Sequence, residues 1–196
     1  MSGRLHPQRG DALVLVDVQR DFLPGGALGV PGGDAVVPAL NDYIDAFSQL
    51  GLPLFATRDW HPPQHCSFQA QGGPWPPHCV ADTPGAQFAP GLQLPAHTVV
   101  ISKGTAIAPD TYSGLVGTDL AQRLRAAGVT RLFVGGLATD YCVLQTVTDA
   151  LAQGFEVVVL SDAIAAVNVQ PGDGDRALAQ MAQAGAGNAR RREVLR

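Results

Sequence analysis

Ala12-Leu13-Val14-Leu15-Val16 is a continuous apolar run of strand length. A strand with one wet face alternates apolar and polar residues, so an unbroken run marks a strand buried on both faces. Such strands belong to parallel sheets covered by helices. The residues that follow agree. Val36, Val37, Leu40, Ile44, Phe47 and Leu50 recur at helical spacing, and Gly51 stops them. Residues 52–57, 98–102, 131–135 and 156–160 read as four further strands. Residues 119–127 (with Thr118 as N-cap and Gly128 closing), 140–153 (ended by Gly154) and 175–184 read as helices. Strands alternating with helices predict an α/β fold, a three-layer sandwich around a mostly parallel sheet.

No repeat or interdomain linker interrupts the pattern, so residues 1–196 are read as a single domain. The chain's 196 residues and 20.4 kDa suit one substantial core. Residues 58–97 are rich in Pro, Gly, His and Trp and show little periodicity. Loops of that length are usually functional.

Composition removes several function classes. A net charge of -4 and a pI near 5.6 argue against nucleic acid or an anionic membrane as partner. The Arg190-Arg191-Arg192 cluster reads as a solvated terminus. No apolar run approaches the ~18 residues of a membrane span. The first ten residues are polar and lack the apolar core of a signal peptide, which points to a cytoplasmic protein. Three cysteines, Cys66, Cys79 and Cys142, are an odd number and suit free thiols in a reducing compartment. A homo-oligomer is left open.

Ligand sites in parallel sheets gather at the carboxyl ends of the strands. Asp17, Asp59, Lys103 and Cys142 all fall there on this strand map. Of thirteen basic residues only Lys103 is a lysine, so surface solubility does not account for it. Cys142 follows Gly135-Gly136-Leu137-Ala138-Thr139-Asp140-Tyr141 and lies in the first turn of a helix. Such a position is expected to lower the thiol pKa and to offer backbone N–H groups to a developing oxyanion. Lys103 would favour the thiolate further, and Asp17 could accept the thiol proton and later pass it to a leaving amine. A buried structural cysteine is the bland alternative, and the lone lysine and the aspartate weigh against it.

A second constellation occupies the long segment. Asp59-Trp60-His61 places a carboxylate and an imidazole two residues apart, and His65 and His78 follow. One carboxylate with two or three imidazoles suits a divalent transition metal: zinc, iron or manganese. Cys66 and Cys79 neighbour the histidines but match no zinc-finger spacing. A nucleotide-binding module with the same layout is disfavoured, because neither G-x-G-x-x-G nor a Walker A motif is present.

Val16-Asp17-Val18-Gln19-Arg20-Asp21-Phe22, Asp59-Trp60-His61-Pro62, Trp75-Pro76-Pro77-His78-Cys79, Lys103-Gly104 and Ala138-Thr139-Asp140-Tyr141-Cys142-Val143 resemble the nicotinamidases of the isochorismatase-like hydrolase superfamily. Isochorismatases, carbamoyl-amide hydrolases and ureide hydrolases of that superfamily usually lack the two metal elements. The resemblance implies a six-stranded sheet, so five to six strands are expected in all. It implies a triad of Asp17, Lys103 and Cys142 that forms a thioester, releases ammonia and yields nicotinic acid, with pyrazinamide cleaved as well. It implies a metal held by Asp59, His61 and His78, with His65 a further candidate ligand. Ala138 and Cys142 would supply the oxyanion hole, with a cis peptide before Ala138. Phe22, Trp75, Tyr112 and Tyr141 would line a ring pocket for nicotinamide. Two departures stand out. Residues 187–196 are short and basic where a last strand is the rule, so they are expected as a disordered tail. Arg20 replaces a smaller residue and is expected to point away from Asp17.

Overall fold

All five residues of the apolar run are buried in strand β1 (Asp11–Val16), as is Asp11 at its start. In the computed structural model, which describes residues 5–195, five parallel strands join it: β2 (Leu54–Asp59), β3 (Val99–Lys103), β4 (Arg131–Leu137), β5 (Glu156–Ala165) and β6 (Gly187–Ala189). Their order is β3-β2-β1-β4-β5-β6. The polar first four residues and Arg196 lie outside the described residues.

The period of two along each strand sorts the core into two layers. Leu13 and Leu15 of β1, Leu54 and Ala56 of β2 and Phe133 of β4 face helix α1 (Val36–Gln49) through Leu40, Tyr43, Ile44 and Phe47. Ala12, Val14 and Val16, with Leu132 and Val134, face the other way. They meet α2 (Leu120–Ala126), α3 (Leu144–Ala152) and α4 (Asp173–Gln183). This is the expected three-layer sandwich, and it explains why residues 12–16 of β1 are all apolar. Among the described residues, no helix is long and apolar enough to cross a membrane.

Leu40 of α1 packs directly onto the backbone of β4. A Cβ on Gly135 would lie 2.8 Å from Leu40 Cδ2, and Leu40 is fully buried. Leu40→Ala is therefore expected to lower stability by about 2–5 kcal/mol, because a rigid sheet cannot collapse onto the space left. Chemical denaturation measures it, and a loss below about 1 kcal/mol would show a looser layer.

The expectation of a disordered tail is corrected. Residues Gly187–Ala189 form β6, in register with Val158, Val159 and Leu160, and Arg191–Val194 form a short helix, α5. Backbone pairing needs no large apolar side chains, so a strand of small residues escapes a reading based on apolar runs. Asp162 Oδ2 accepts from the Arg191 N–H at 2.8 Å, Glu193 accepts from the Arg190 N–H at 2.8 Å, and the Arg191 guanidinium pairs with Asp42. Ala189 and Val194 are buried beneath these contacts. Elsewhere the differences are at ends. β2 extends to Asp59, β5 runs on to Ala165, and Thr118 precedes α2 with its hydroxyl accepting from Leu120 N–H at 3.3 Å. Arg20 is exposed, as expected.

The strand order changes direction between β1 and β4, which opens a crevice at the carboxyl ends of those strands. Asp17 leaves β1 on one side of it, and the glycine turn leaves β4 on the other.

Candidate active site

Lys103 ends β3 with its side chain fully buried. A buried ammonium needs partners, and here it has three. Its Nζ lies 2.9 Å from Asp17 Oδ2, 2.5 Å from Asp59 Oδ1 and 3.5 Å from Cys142 Sγ. Donor atoms of Asp17, Asp59 and Cys142 lie within 4.8 Å of one another. Asp17 reaches this point because the chain turns left-handed at that residue (φ 48°). Thr57, on the neighbouring strand, donates its hydroxyl to Asp17 Oδ1 at 2.6 Å.

Cys142 is brought in from the end of β4. Gly136 has φ +125°, and a Cβ there would lie 2.1 Å from the Val16 carbonyl oxygen, so only glycine lets β4 run so close to β1. The Leu137–Ala138 peptide is cis, as the resemblance implied. The helix expected from Asp140 is different in form. Residues Thr139–Val143 make a π-turn, with Val143 N–H donating to the Ala138 carbonyl at 3.1 Å, and α3 begins after it. Wide turns of this kind occur often at functional positions. The Asp140 carboxylate accepts from the N–H groups of Val167 (2.9 Å) and Asn168 (2.8 Å), tying the turn to the loop after β5.

The electrostatics correct one expectation. The Cys142 thiol is not lowered by its place at a helix start. Burial pushes it well up; the Lys103 charge opposes this, and Asp17 and Asp59 add to the rise. Burial also raises the Asp17 carboxyl, against the pull of Lys103, with Asp59 adding to the rise. At Asp59 burial is outweighed, and Lys103 and His61 hold the carboxyl below the usual range. Burial works against the Lys103 charge, but its two carboxylates raise the ammonium pKa well above the ordinary range. The resting cluster is thus a neutral thiol beside an ammonium shared by two carboxyl groups.

Asp59, His61 and His78 form a second buried group, with donor atoms within 4.8 Å of one another. The carbonyl of Gly104 can only accept, so His61 donates to it from Nδ1 at 2.9 Å and presents Nε2, 3.6 Å from Asp59 Oδ2. His78 is oriented in the same way by the Pro76 carbonyl, 2.8 Å from Nδ1. Burial lowers the His78 pKa and so favours the neutral, ligating imidazole. Gly104 is itself required here. Its φ is +60°, and a Cβ would stand 2.4 Å from His61 Cε1. One carboxylate oxygen and two oriented imidazole nitrogens fit a divalent transition metal.

His65 does not join that convergence. Its ring stacks on His61 with centroids 3.9 Å apart, and Nδ1 lies 2.7 Å from Ser67 Oγ. Its Nε2 is buried with no hydrogen-bond partner. Cys66 and Cys79 are free thiols and belong to neither donor group found among the described residues.

Between the two groups lies a cavity lined by Phe22, Trp75, Tyr112, Tyr141, Ala138 and Cys142, with Asp59 and His78 at its polar end. All four aromatic residues expected around a ring are present. Trp75 Nε1–H donates to the Tyr112 hydroxyl at 3.0 Å, and Trp75 meets Tyr141 edge to face at 5.1 Å. Leu28, Val30 and Val167 complete the wall and were not anticipated. The first two lie in the glycine-rich stretch of residues 25–33, where the signal available was the few apolar residues set among the glycines.

Residues 11–192 match the isochorismatase domain family. Nicotinamidase of Escherichia coli (strain K12) is 41% identical over 196 aligned positions, covering 89% of this chain and 92% of the relative. The crystal structure of pyrazinamidase of Pyrococcus horikoshii in complex with zinc superposes with a TM-score of 0.89 at 50% identity, over 92% of this chain and 99% of that one. That of PnC1 from L. infantum in complex with nicotinate superposes with a TM-score of 0.88 at 38% identity, over 97% of both chains. With its crevice, its buried lysine cluster and this coverage, the chain belongs to the isochorismatase family.

Proposed function

We propose that the protein is a nicotinamidase, a metal-dependent amidohydrolase that converts nicotinamide to nicotinic acid and ammonia and also cleaves pyrazinamide. One observation carries this reading: Lys103 joins the Cys142 thiol and the Asp17 carboxylate at the floor of an aromatic cavity whose polar end holds Asp59 and His78. A planar heteroaromatic ring would be received between Phe22, Trp75, Tyr112 and Tyr141, which would bring its carboxamide to Cys142. The relatives named for nicotinamidase and pyrazinamidase activity support that choice of substrate.

The residues act in a sequence whose protons balance. Asp17 takes the thiol proton as Cys142 Sγ attacks the carboxamide carbon. The N–H groups of Ala138 and Cys142 bind the oxyanion of the tetrahedral intermediate. Asp17 returns the proton to nitrogen, the C–N bond breaks, ammonia leaves and a thioester remains on Cys142. Water then attacks the thioester while Asp17 takes its proton, the C–S bond breaks, the thiol is re-formed and nicotinic acid leaves. Lys103 favours the ionised form of Asp17 against its burial and offsets the negative charge that develops on sulfur.

Asp59, His61 and His78 would hold the metal, zinc first by donor chemistry and iron or manganese as alternatives. When bound, the ion supplies a Lewis acid for the ring nitrogen, and so orients the carboxamide. His65, stacked behind His61, backs that ligand. Chelator-treated protein is expected to release ammonia from nicotinamide at least about tenfold more slowly, with recovery on adding zinc. Full activity in metal-free protein would contradict the metal's part.

The acid limb of activity supplies a further test. Asp17 must be ionised to act as base, and its pKa is raised above the ordinary 3.8. Activity should therefore fall, as pH drops, at a pH above the ordinary carboxylate range. Thr57→Val removes a hydrogen bond that favours the ionised form, so the limb should move up by about one pH unit. An unmoved limb in the pH–rate profile would remove Asp17 as the titrating base.

A further inference from the structure

We infer that Gln19 is a positioning residue for the metal ligand Asp59, its side-chain amide standing in for a peptide group that β1 no longer provides. β1 serves β2 with backbone as far as Thr57, whose carbonyl accepts from Asp17 N–H at 3.2 Å. At Asp17 the chain turns left-handed, which aims its carboxylate at Lys103 and ends the ladder. The β1-facing N–H and C=O of Asp59 are thereby left without strand partners. On the other side of β2 the pairing continues, with Trp60 N–H donating to the Lys103 carbonyl at 3.0 Å.

Gln19 fills the gap. Its Oε1 accepts from Asp59 N–H at 2.8 Å, and its Nε2 donates to the Asp59 carbonyl at 2.8 Å. A primary amide offers the same donor and acceptor as a peptide bond, and the side chain is fully buried. The second Nε2 hydrogen goes to the Ala86 carbonyl at 2.9 Å, anchoring the amide to the long loop. Gln19 N–H donates to the Asp17 carbonyl at 2.9 Å, so the same residue braces the turn that presents Asp17. Two residues apart on one segment, Asp17 serves the thiol and Gln19 fixes the carboxylate shared by Lys103 and the proposed metal.

This inference rests on the metal reading above, and its test separates the two. Zinc affinity of the full chain is measured by competition with a chromogenic chelator, alongside thermal unfolding of metal-free protein. Gln19→Met keeps the volume and removes all three hydrogen bonds. It is expected to weaken zinc binding about 10- to 100-fold, as loss of partners behind a ligand commonly does. Gln19→Glu keeps an acceptor for Asp59 N–H and should recover part of that loss. Thr146→Val, which removes a buried bond to Gly114 N–H away from the metal group, should lower stability with zinc affinity unchanged. If Gln19→Met does not fold, Gln19→Glu decides by the same two readings. Unchanged zinc affinity in the folded Gln19 variant would overturn the inference and leave Gln19 a structural residue only. Failure of the unsubstituted chain to bind zinc would overturn the metal reading, and this inference with it.

Discussion

Cys142→Ala is expected to lower ammonia release from nicotinamide at least about a thousandfold while leaving the fold and the metal group intact. The expected size follows from the mechanism: without sulfur no thioester forms, and what remains is binding and polarisation of the amide. The structural effect should be small, because an alanine keeps the buried Cβ and removes only an atom 3.5 Å from the Lys103 ammonium. Neither other thiol can substitute. Cys79 is buried, with burial and nearby carboxylates pushing its thiol far up, and Cys66 is not on the cavity wall. Turnover within about tenfold of the unsubstituted protein would remove Cys142 from the mechanism.

Lys103→Met should damage both activity and fold. Breaking a buried ion pair by removing one partner costs about 3–5 kcal/mol, since the remaining charges stay buried and unpaired. Here two carboxylates lose their cation at once, and Lys103 supplies the largest influence holding down the pKa of each. Without it, burial should raise the folded-state pKa of Asp59 above its unfolded value and push that of Asp17, already raised, further up. A carboxylate shifted in that direction binds its proton more tightly when folded, so the variant's deficit should grow as pH rises through the new folded pKa values. The deficit should be least in acid. Ammonia release should fall at least about a hundredfold, because Asp17, with the lowering influence of Lys103 gone, holds its own proton more tightly and is a poorer acceptor of the thiol proton. Denaturation of the two proteins across pH measures the first effect. A deficit that shrank with rising pH would show that the ammonium is not what keeps these carboxyl groups ionised.

Much of the fold was legible because β1 is buried on both faces. The even and odd residues of Ala12-Leu13-Val14-Leu15-Val16 serve different layers, so every one is apolar and the strand declares itself. β6 was illegible for the opposite reason. Gly187-Asn188-Ala189 carries no large apolar side chain, Ala189 alone being buried, and its register is secured by Asp162, Asp42 and Glu193 acting on α5, contacts that cross up to 149 residues of sequence. The same limit applies to the end of β5, which runs past Leu160 through the polar Ser161-Asp162 pair to Ala165.

At the site, residues whose chemistry is unusual could be found in the sequence, and those that orient them could not. A lone lysine at a strand end and a cysteine after a glycine turn are conspicuous as residue types. The state of the thiol was misjudged, because helix position is local and visible whereas burial among Asp17 and Asp59 is not. Gln19 and Thr57 act through hydrogen bonds between strands that only the folded sheet brings together. His65 sits near the expected metal ligands in sequence, yet it stacks on His61 instead of converging with it.

The central claim is that sulfur from one segment, activated by a carboxylate and an amine from two others, becomes acylated during turnover. Rapid acid quenching during nicotinamide hydrolysis, followed by mass spectrometry of the peptides, tests it directly. One pyridine-carbonyl group is expected on the peptide containing Cys142, building up during turnover and absent from Cys142→Ala. Steady ammonia release with no acyl group on Cys142, or with the group on Cys66 or Cys79, would contradict the account.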